Sequence, residues 1–262
     1  MPGVGTDHPD ITNASRRMKA SEWALCNDNG VTEIIGSVIG HDGIVVANVF
    51  DGPVFELTRE QLFRALAEGQ GQSTSWAEID LSLPDLDIQV LGPPPTSGTR
   101  DAFEKLVIQA GAKSAGLPKD EIGKLEIRTD GPWIDAGEND NLMFKKLVAD
   151  PDAVSVFDFS FLDQNSDSIK GATIEGIEPG FENIASGGYS VSRSLYTYAR
   201  KAHVGVVPGI HEFTLEFASD SASGEDGYLV DKGLIPLPED AFIDNAEAVA
   251  NLTIMTGAEE LK

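Results

Sequence analysis

The chain has 262 residues, of which 43 are acidic and 19 are basic, so its formal net charge is −24. Hydrophobic residues make up 41% of it, which is enough for a packed core and excludes a disordered or collagen-like chain. A chain this acidic repels the phosphate backbone of nucleic acids and anionic membrane surfaces, so we expect no nucleic-acid partner. Any anion site must therefore depend on local donors.

Predicted strands and helices alternate along the chain. Short β-branched runs predict the strands, and apolar residues at i, i+3 and i+4 after a capping residue predict the helices. The predicted strands cover 31–39, 43–49, 86–90, 124–128, 153–159 and 194–200. The predicted helices follow Thr58, Ser97, Asn139 and Gly209, and a last one lies near 240–252. The helix after Gly209 should turn Ile210, Phe213 and Phe217 inward. This alternation predicts an α/β fold with helices on both faces of the sheet.

The strongest local signal is the run Thr96-Ser97-Gly98-Thr99-Arg100, between a predicted strand and a predicted helix. The first N–H groups of a helix are unpaired and the helix dipole is positive there, so such a turn suits an anion. Gly98 lets the backbone approach closely, Ser97 and Thr99 add hydroxyls, and Arg100 adds a guanidinium fork. The alternative is an ordinary helix cap, for which Ser and Thr are common.

Asn13-Ala14-Ser15-Arg16-Arg17 is the second candidate, because two adjacent arginines stand out among so few basic residues. A solvated surface pair is the alternative. Residues 137–141 are better explained as a helix cap than as ligands.

Signatures of an enzyme or a metal site are weak in this chain. The four histidines show no metal-ligand spacing, and Ser97 does not lie in a G-x-S-x-G turn, so we expect no cofactor and no metal. The single cysteine, Cys26, is predicted to be a small buried side chain.

The chain resembles the phosphate-binding proteins of bacterial ABC-type phosphate uptake systems. The matching stretches follow the family's order across nearly the whole chain, and the ordered set is what makes the resemblance specific. They lie at 10–16, 42–48, 57–62, 74–80, 92–103, 159–165 and 191–196.

The resemblance implies a type II periplasmic-binding-protein fold with two hinged lobes that enclose the ligand. Lobe I would comprise 1–48 and 162–262, and lobe II would comprise 49–161. The implied phosphate ligands are Ser97, Gly98, Thr99, Arg100, Ser15 and Arg16. The implied function is capture of inorganic phosphate outside the cytoplasm, in the periplasm, by a monomer that is not an enzyme and that delivers the anion to the membrane permease of an ABC transporter.

This sequence departs from the family pattern in three ways. Many members carry an acidic residue after Ala-Ser, and here that position is Arg16. The common form R-x-D-x-S-G-T has Pro93 and Pro95 at its Arg and Asp positions, and Arg100 supplies a positive charge instead. The family's export signal and first βα unit have no counterpart before Asp10, so we expect them to precede this chain, together with a disulfide partner for Cys26.

Three other functions stay open at this point. The protein could bind another tetrahedral oxyanion, since the usual carboxylate position holds Arg16. It could be a secreted phosphoester hydrolase with Ser97 as nucleophile, although no histidine is placed by sequence to act as its base. It could also be a scaffold that uses the fold without transport.

Overall fold

The computed structural model describes residues 8–70 and 73–257. The chain divides into two compact units, one formed by Met1–Asp42 with Arg193–Lys262 and the other by Gly43–Ser192. These boundaries differ from those expected for the lobes, 1–48 with 162–262 and 49–161. The expected boundaries of the two ligand-binding lobes therefore stay a prediction.

Nine strands are present in the described residues. They are β1 (Ile11–Ala14), β2 (Ile34–Val49), β3 (Glu56–Leu57), β4 (Val90–Gly92), β5 (Trp133–Asp135), β6 (Val154–Asp158), β7 (Ile169–Gly171), β8 (Thr173–Ile174) and β9 (Ser192–Arg200). In the first unit β1 pairs antiparallel with β9, and β9 is followed by the first part of β2. In the second unit the order is β2-β6-β4-β5, with β7 also on β2, and β3 and β8 form a separate parallel pair.

Helices lie between these strands in chain order. They are α1 (Ala20–Asp28), α2 (Arg59–Leu66), α3 (Trp76–Ile79), α4 (Gly98–Phe103), α5 (Ala110–Ser114), α6 (Lys119–Ile122), α7 (Asp140–Ala149), α8 (Phe159–Gln164), α9 (Phe181–Ala185), α10 (Ile210–Phe217), α11 (Asp220–Ser223) and α12 (Glu239–Ala250). A π-helical stretch, Glu104–Gln109, joins α4 to α5, and short 3₁₀ turns lie at Lys201–His203 and Val230–Lys232. The α/β fold class is confirmed.

Several predicted elements are confirmed with their physical causes. Thr58 caps α2 as expected, since its hydroxyl accepts from the Gln61 N–H and the Gln61 side chain accepts from the Thr58 N–H. Asn139 caps α7 by accepting from the Leu142 N–H at 3.1 Å. The predicted strands at 153–159 and 194–200 correspond to β6 and β9.

Two strand predictions need correction because the backbone finds other partners: two predicted strands are merged into one, and a third is not a strand. The runs 31–39 and 43–49 form one strand, β2, because His41 exchanges two hydrogen bonds with Ile235 and the chain stays extended. Residues 124–128 form no strand within this described segment: the Arg128 N–H donates to the Leu66 carbonyl, at the end of α2, and Ile127 makes only an isolated bridge to Ala67.

The predicted strand at 86–90 starts later than expected. The Leu86 carbonyl accepts from the Trp76 N–H, and the Ile88 N–H donates to the Thr74 carbonyl. The chain therefore joins the sheet only at Val90. In α10, Ile210 is buried as predicted but Phe213 is exposed, and Thr214 takes the inward position. Phe213 packs instead against Phe217, with 4.8 Å between the ring centroids.

Each unit has its own apolar core. In the first unit Cys26 is buried, as predicted, in a cluster with Met18, Val31, Ile34 and the two tyrosines of β9. In the second unit the core lies around the sheet β6-β4-β5. Its largest fully buried side chains include Phe63, Trp76, Phe103 and Phe157.

Candidate functional site

The carboxyl ends of three parallel strands meet at one edge of the second unit. The strand order is β6-β4-β5, and α4, α7 and α8 begin after β4, β5 and β6. The chain passes from β4 to β5, on one side of β4, and then crosses to β6, on the other side of β4. The direction of winding therefore reverses between β4 and β6. In open α/β sheets ligands bind at the carboxyl edge, at this point of reversal. This is the place on the unit where a ligand is expected.

The turn after β4 is shaped by proline and glycine. Pro93, Pro94 and Pro95 have no N–H to continue a strand ladder, so the strand ends at Gly92. A Cβ on Gly92 would lie 2.0 Å from Cζ2 of Trp133, so only glycine fits under the indole. The Ser97 N–H donates to the Pro94 carbonyl at 3.0 Å, and the helix begins directly afterwards.

Three of the residues predicted to bind an anion lie in the first turn of this helix. Ser97 is the N-cap and its hydroxyl makes no capping bond, Gly98 is exposed, and Thr99 is half-buried. A Cβ on Gly98 would meet nothing within 4 Å, so the space outside the first turn is open. The first-turn N–H groups have no intrahelical acceptors, and α4 continues through the π-helical stretch into α5. The turn therefore offers backbone and hydroxyl donors to an anion.

Arg100 is buried beside this turn. Its Cζ lies 4.7 Å from the centroid of the Trp133 ring, and its Nε donates to Oε1 of Glu104 at 2.8 Å. Its side chain is 9% exposed and the Glu104 side chain 29%. Neither Nη of Arg100 has a hydrogen-bond partner among the described residues, so both nitrogens keep donors for a further acceptor.

Asp158 completes the point of reversal, and sequence reasoning missed it. It ends β6 and is the N-cap residue of α8, yet its side chain does not cap that helix. Instead Oδ1 of Asp158 accepts from Oγ1 of Thr99 at 3.2 Å. The signal that could have found it is its place directly after the buried run 154–157, at the carboxyl end of a parallel strand.

The second predicted element lies in the other unit, just after β1. Ser15 and Arg16 are exposed, and Arg16 makes two hydrogen bonds to the Glu22 carboxylate, at 2.9 and 2.7 Å. This pairing lowers the pKa of Glu22 to about 2, with a further contribution from the Lys19 N–H. Arg17 points elsewhere, with its Cζ 5.7 Å from the centroid of the Tyr196 ring. Ser15 and Arg16 as phosphate ligands stay a prediction.

Within the described residues of its unit, Ser97 has no histidine and no metal-binding cluster beside it. In the described part of the chain the Ser97 hydroxyl has no hydrogen-bond partner, and residues 43–192 contain no histidine. Over the same described residues no group of three or more His, Cys, Asp or Glu side chains is arranged to hold a metal ion.

Comparison with known proteins shows the family of this chain. The PBP superfamily domain matches residues 4–221, most of the chain. The chain belongs to the PBP superfamily.

Two curated proteins illustrate the relationship within the PBP superfamily. Protein SphX from Synechococcus elongatus is 24% identical over 245 residues, which is 89% of this chain and 64% of that protein. The phosphate-binding protein PstS from Staphylococcus haemolyticus is 27% identical over 244 residues, 90% of this chain and 68% of that protein. The chain thus spans about two thirds of the length of these relatives.

Solved structures show the same superfamily fold. A possible phosphate-binding protein from Planctomyces limnophilus superimposes with a TM-score of 0.76 at 24% identity, covering 94% of this chain and 82% of that one. A putative phosphate ABC transporter substrate-binding protein from Clostridium perfringens, solved with bound phosphate, has a TM-score of 0.55 at 25% identity, covering 87% and 79%. The fold is that of type II periplasmic binding proteins. In the described ranges no helix has the length and apolar character needed to cross a bilayer.

Proposed function

We propose that this protein is a receptor for inorganic phosphate. The observation that carries the proposal is the open first turn of the helix at Ser97, Gly98 and Thr99, at the carboxyl edge of the sheet where the winding reverses. The net charge of −24 gives the chain no overall electrostatic attraction for an anion, so anion binding must depend on local donors. The N–H and hydroxyl donors of this turn are such a group. The name of the Staphylococcus relative and the bound phosphate in the Clostridium structure support the same ligand.

The receptor is proposed to act with a membrane permease and outside the cytoplasm. A structure from Vibrio cholerae that matches this chain is an ABC-type phosphate transport receptor, which supports an ABC permease as partner. Another matching structure is a high-affinity periplasmic phosphate-binding protein, which supports the periplasm as location. We propose a binding protein that is not an enzyme. The phosphoester hydrolase alternative lacks support, because the unit that holds Ser97 contains no histidine to act as its base.

Gly98 allows a direct test of the proposed site. A methyl group at this position meets nothing within 4 Å in the protein, so Gly98→Ala should fold with unchanged stability or gain up to about 1 kcal/mol. The same methyl group would stand where the anion approaches the first-turn N–H groups, so phosphate affinity should fall at least about tenfold. Calorimetric titration with phosphate and urea unfolding of the same samples measure the two effects.

Gly123→Ala is the matched control, because a Cβ there also meets nothing within 4 Å and its backbone is in the right-handed helical region. It should leave phosphate affinity unchanged. If the parent protein binds no phosphate, or if Gly98→Ala binds it as tightly as the parent, the proposed site is wrong. Turnover of a chromogenic phosphoester that is lost in Ser97→Ala would establish the hydrolase instead.

A further inference from the structure

A cavity of about 220 Å³ lies in the first unit, whereas the turn at Ser97 belongs to the second. Residues of β2 and β9 line it, together with residues at the end of α12 and Arg17, which follows β1. Ser15 and Arg16, the other predicted phosphate ligands, are not among the described residues that line it. The cavity is therefore distinct from the proposed phosphate site.

The backbone shapes this cavity. After α12, Leu252 adopts a positive φ of 51°, which is a costly conformation for a side chain of this size. The chain then reaches β2, where the Met255 N–H donates to the Ile34 carbonyl at 2.8 Å. Gly36 admits the Met255 side chain, since a Cβ there would lie 2.9 Å from its Sδ. Hydrogen bonding and a strained residue thus fix this wall of the cavity.

The arginine and the two tyrosines of the cavity are hydrogen-bond donors. Nε of Arg17 donates to the Tyr196 hydroxyl at 3.4 Å, and the Met18 N–H donates to the Tyr198 hydroxyl at 2.7 Å. Each phenol therefore accepts one bond and keeps its own proton, for which the described residues provide no acceptor. Burial raises the pKa of Tyr198, so its proton stays in place at neutral pH.

The cavity also lacks negative charge. The chain has 43 acidic and 19 basic residues, yet of the described residues that line the cavity one is basic and none is acidic. The basic residue is Arg17, whose Cζ lies 5.7 Å from the centroid of the Tyr196 ring. A guanidinium and two phenol donors with no carboxylate beside them are complementary to a bound carboxylate group.

The rest of the cavity wall is largely apolar. Val38, Ile254 and Met255 contribute apolar side chains, and the rings of Tyr196 and Tyr198 stack with 5.9 Å between centroids and 5° between planes. Flat rings and a thioether favour contact with an aromatic group. An apolar cavity of about 150 Å³ accommodates benzene, so about 220 Å³ suits one ring that carries a carboxylate.

We propose that this cavity binds a small aromatic monocarboxylate. The carboxylate would lie at Arg17 and the two phenols, and the ring would lie against Met255 and the apolar wall. Inorganic phosphate has no apolar part to fill such a cavity. The protein therefore has a second anion site of different chemistry, and this site does not depend on the proposed function.

Benzoate is the probe, and methionine methyl groups report its binding. Met255 lines the cavity, whereas Met143 is buried in the second unit and serves as an internal control. In methyl NMR spectra of the full chain, benzoate should shift the Met255 signal, assigned with Met255→Leu, and leave the Met143 signal unchanged. Benzamide has the ring without the charge, and acetate has the charge without the ring, so each should bind at least about tenfold more weakly.

Two pairs of variants test the cavity itself. Ala248→Leu should block it, because Ala248 lines it from α12, and Ala241→Leu is the matched control at an exposed position of the same helix. Arg17→Ala should lower benzoate affinity at least about tenfold. Arg64→Ala should leave that affinity unchanged, because Arg64 is an exposed arginine of the second unit. Thermal melting checks that each variant is folded.

Three results would overturn the inference: benzoate leaves the Met255 methyl signal unshifted, benzamide binds as tightly as benzoate, or a folded Ala248→Leu protein binds benzoate like the parent. Phosphate should not displace benzoate, and displacement would mean that the cavity belongs to the phosphate site instead. A parent protein that binds benzoate but no phosphate would remove the proposed function and leave this second site in place.

Discussion

The guanidinium of Arg100 lies over the indole of Trp133, with 4.7 Å between Cζ and the ring centroid. Trp133 begins β5 and Arg100 lies in α4, so the stacking joins β5 to the helix that follows its neighbouring strand β4. Glu104, one turn further along the helix, accepts from Nε of Arg100 and fixes its orientation. One cation is therefore held rigidly beside the turn proposed to bind phosphate.

Arg100→Ala should weaken phosphate binding about tenfold or more, because a charge-assisted hydrogen bond contributes roughly 1.5–3 kcal/mol. Arg100→Lys should restore only part of the affinity, since an ammonium neither forks nor stacks on the indole in the same way. Arg64→Ala is the control, because Arg64 is an exposed arginine of the same unit that pairs with Glu60. Calorimetric titration with phosphate decides the matter: equal losses at positions 64 and 100 would contradict a specific role for Arg100.

Gly92→Ala should destabilise the second unit by about 1–3 kcal/mol, because the new methyl group would overlap the Trp133 ring, which must then shift. Phosphate affinity should fall with it, since Trp133 supports Arg100. Urea unfolding and calorimetry measure these two effects. Gly123→Ala should change neither, and a Gly92→Ala protein as stable as the parent would show that the ring moves at no cost.

The paired arginines should behave differently from each other. Arg16 is held by Glu22, so Glu22→Gln should release its guanidinium and raise phosphate affinity severalfold if Arg16 is a ligand as predicted. Arg16→Ala should lower the affinity, and Arg17→Ala should have little effect because its side chain turns toward Tyr196. Calorimetry on the three variants measures this. Loss of most of the affinity in Arg17→Ala alone would contradict the assignment.

Glu22 should also contribute to acid sensitivity. Its pKa in the folded protein is about 2, below its usual value of 4.5, chiefly because of the hydrogen bonds from Arg16. The ionised form therefore favours folding above pH 4.5, and this contribution is lost as the pH falls toward about 2. The pair is exposed, so the effect should stay below about 1 kcal/mol.

Urea unfolding at about pH 5 and about pH 3 measures this contribution. The free energy of unfolding should drop less between these conditions in Glu22→Gln than in the parent. An identical drop in both proteins would mean that the ion pair with Arg16 contributes nothing to stability.

Local signals in the sequence predicted the elements that depend on neighbouring residues. The capping box at Thr58 and Gln61, the cap at Asn139 and the helix that begins after Ser97 all follow from contacts within a few residues. Predictions failed where a distant segment supplied the partner. Residues 124–128 bond to the end of α2 rather than to a strand, and the strand β2 runs on through His41 because Ile235 pairs with it.

The sequence alone determined the α/β class, the first turn of α4 as the candidate anion site and the resemblance to phosphate receptors, because each depends on local runs of residues and on their order along the chain. Only the tertiary structure decided that Thr99 donates to Asp158, that Trp133 covers Gly92 and that Glu22 holds Arg16. The first two contacts join residues separated by 59 and by about 40 positions, and the strand order β6-β4-β5 brings them together. The third contact lies across a turn whose geometry the sequence periodicity does not predict. There the guanidinium of Arg16, which suits an anion, is paired with the carboxylate of Glu22 in the same chain.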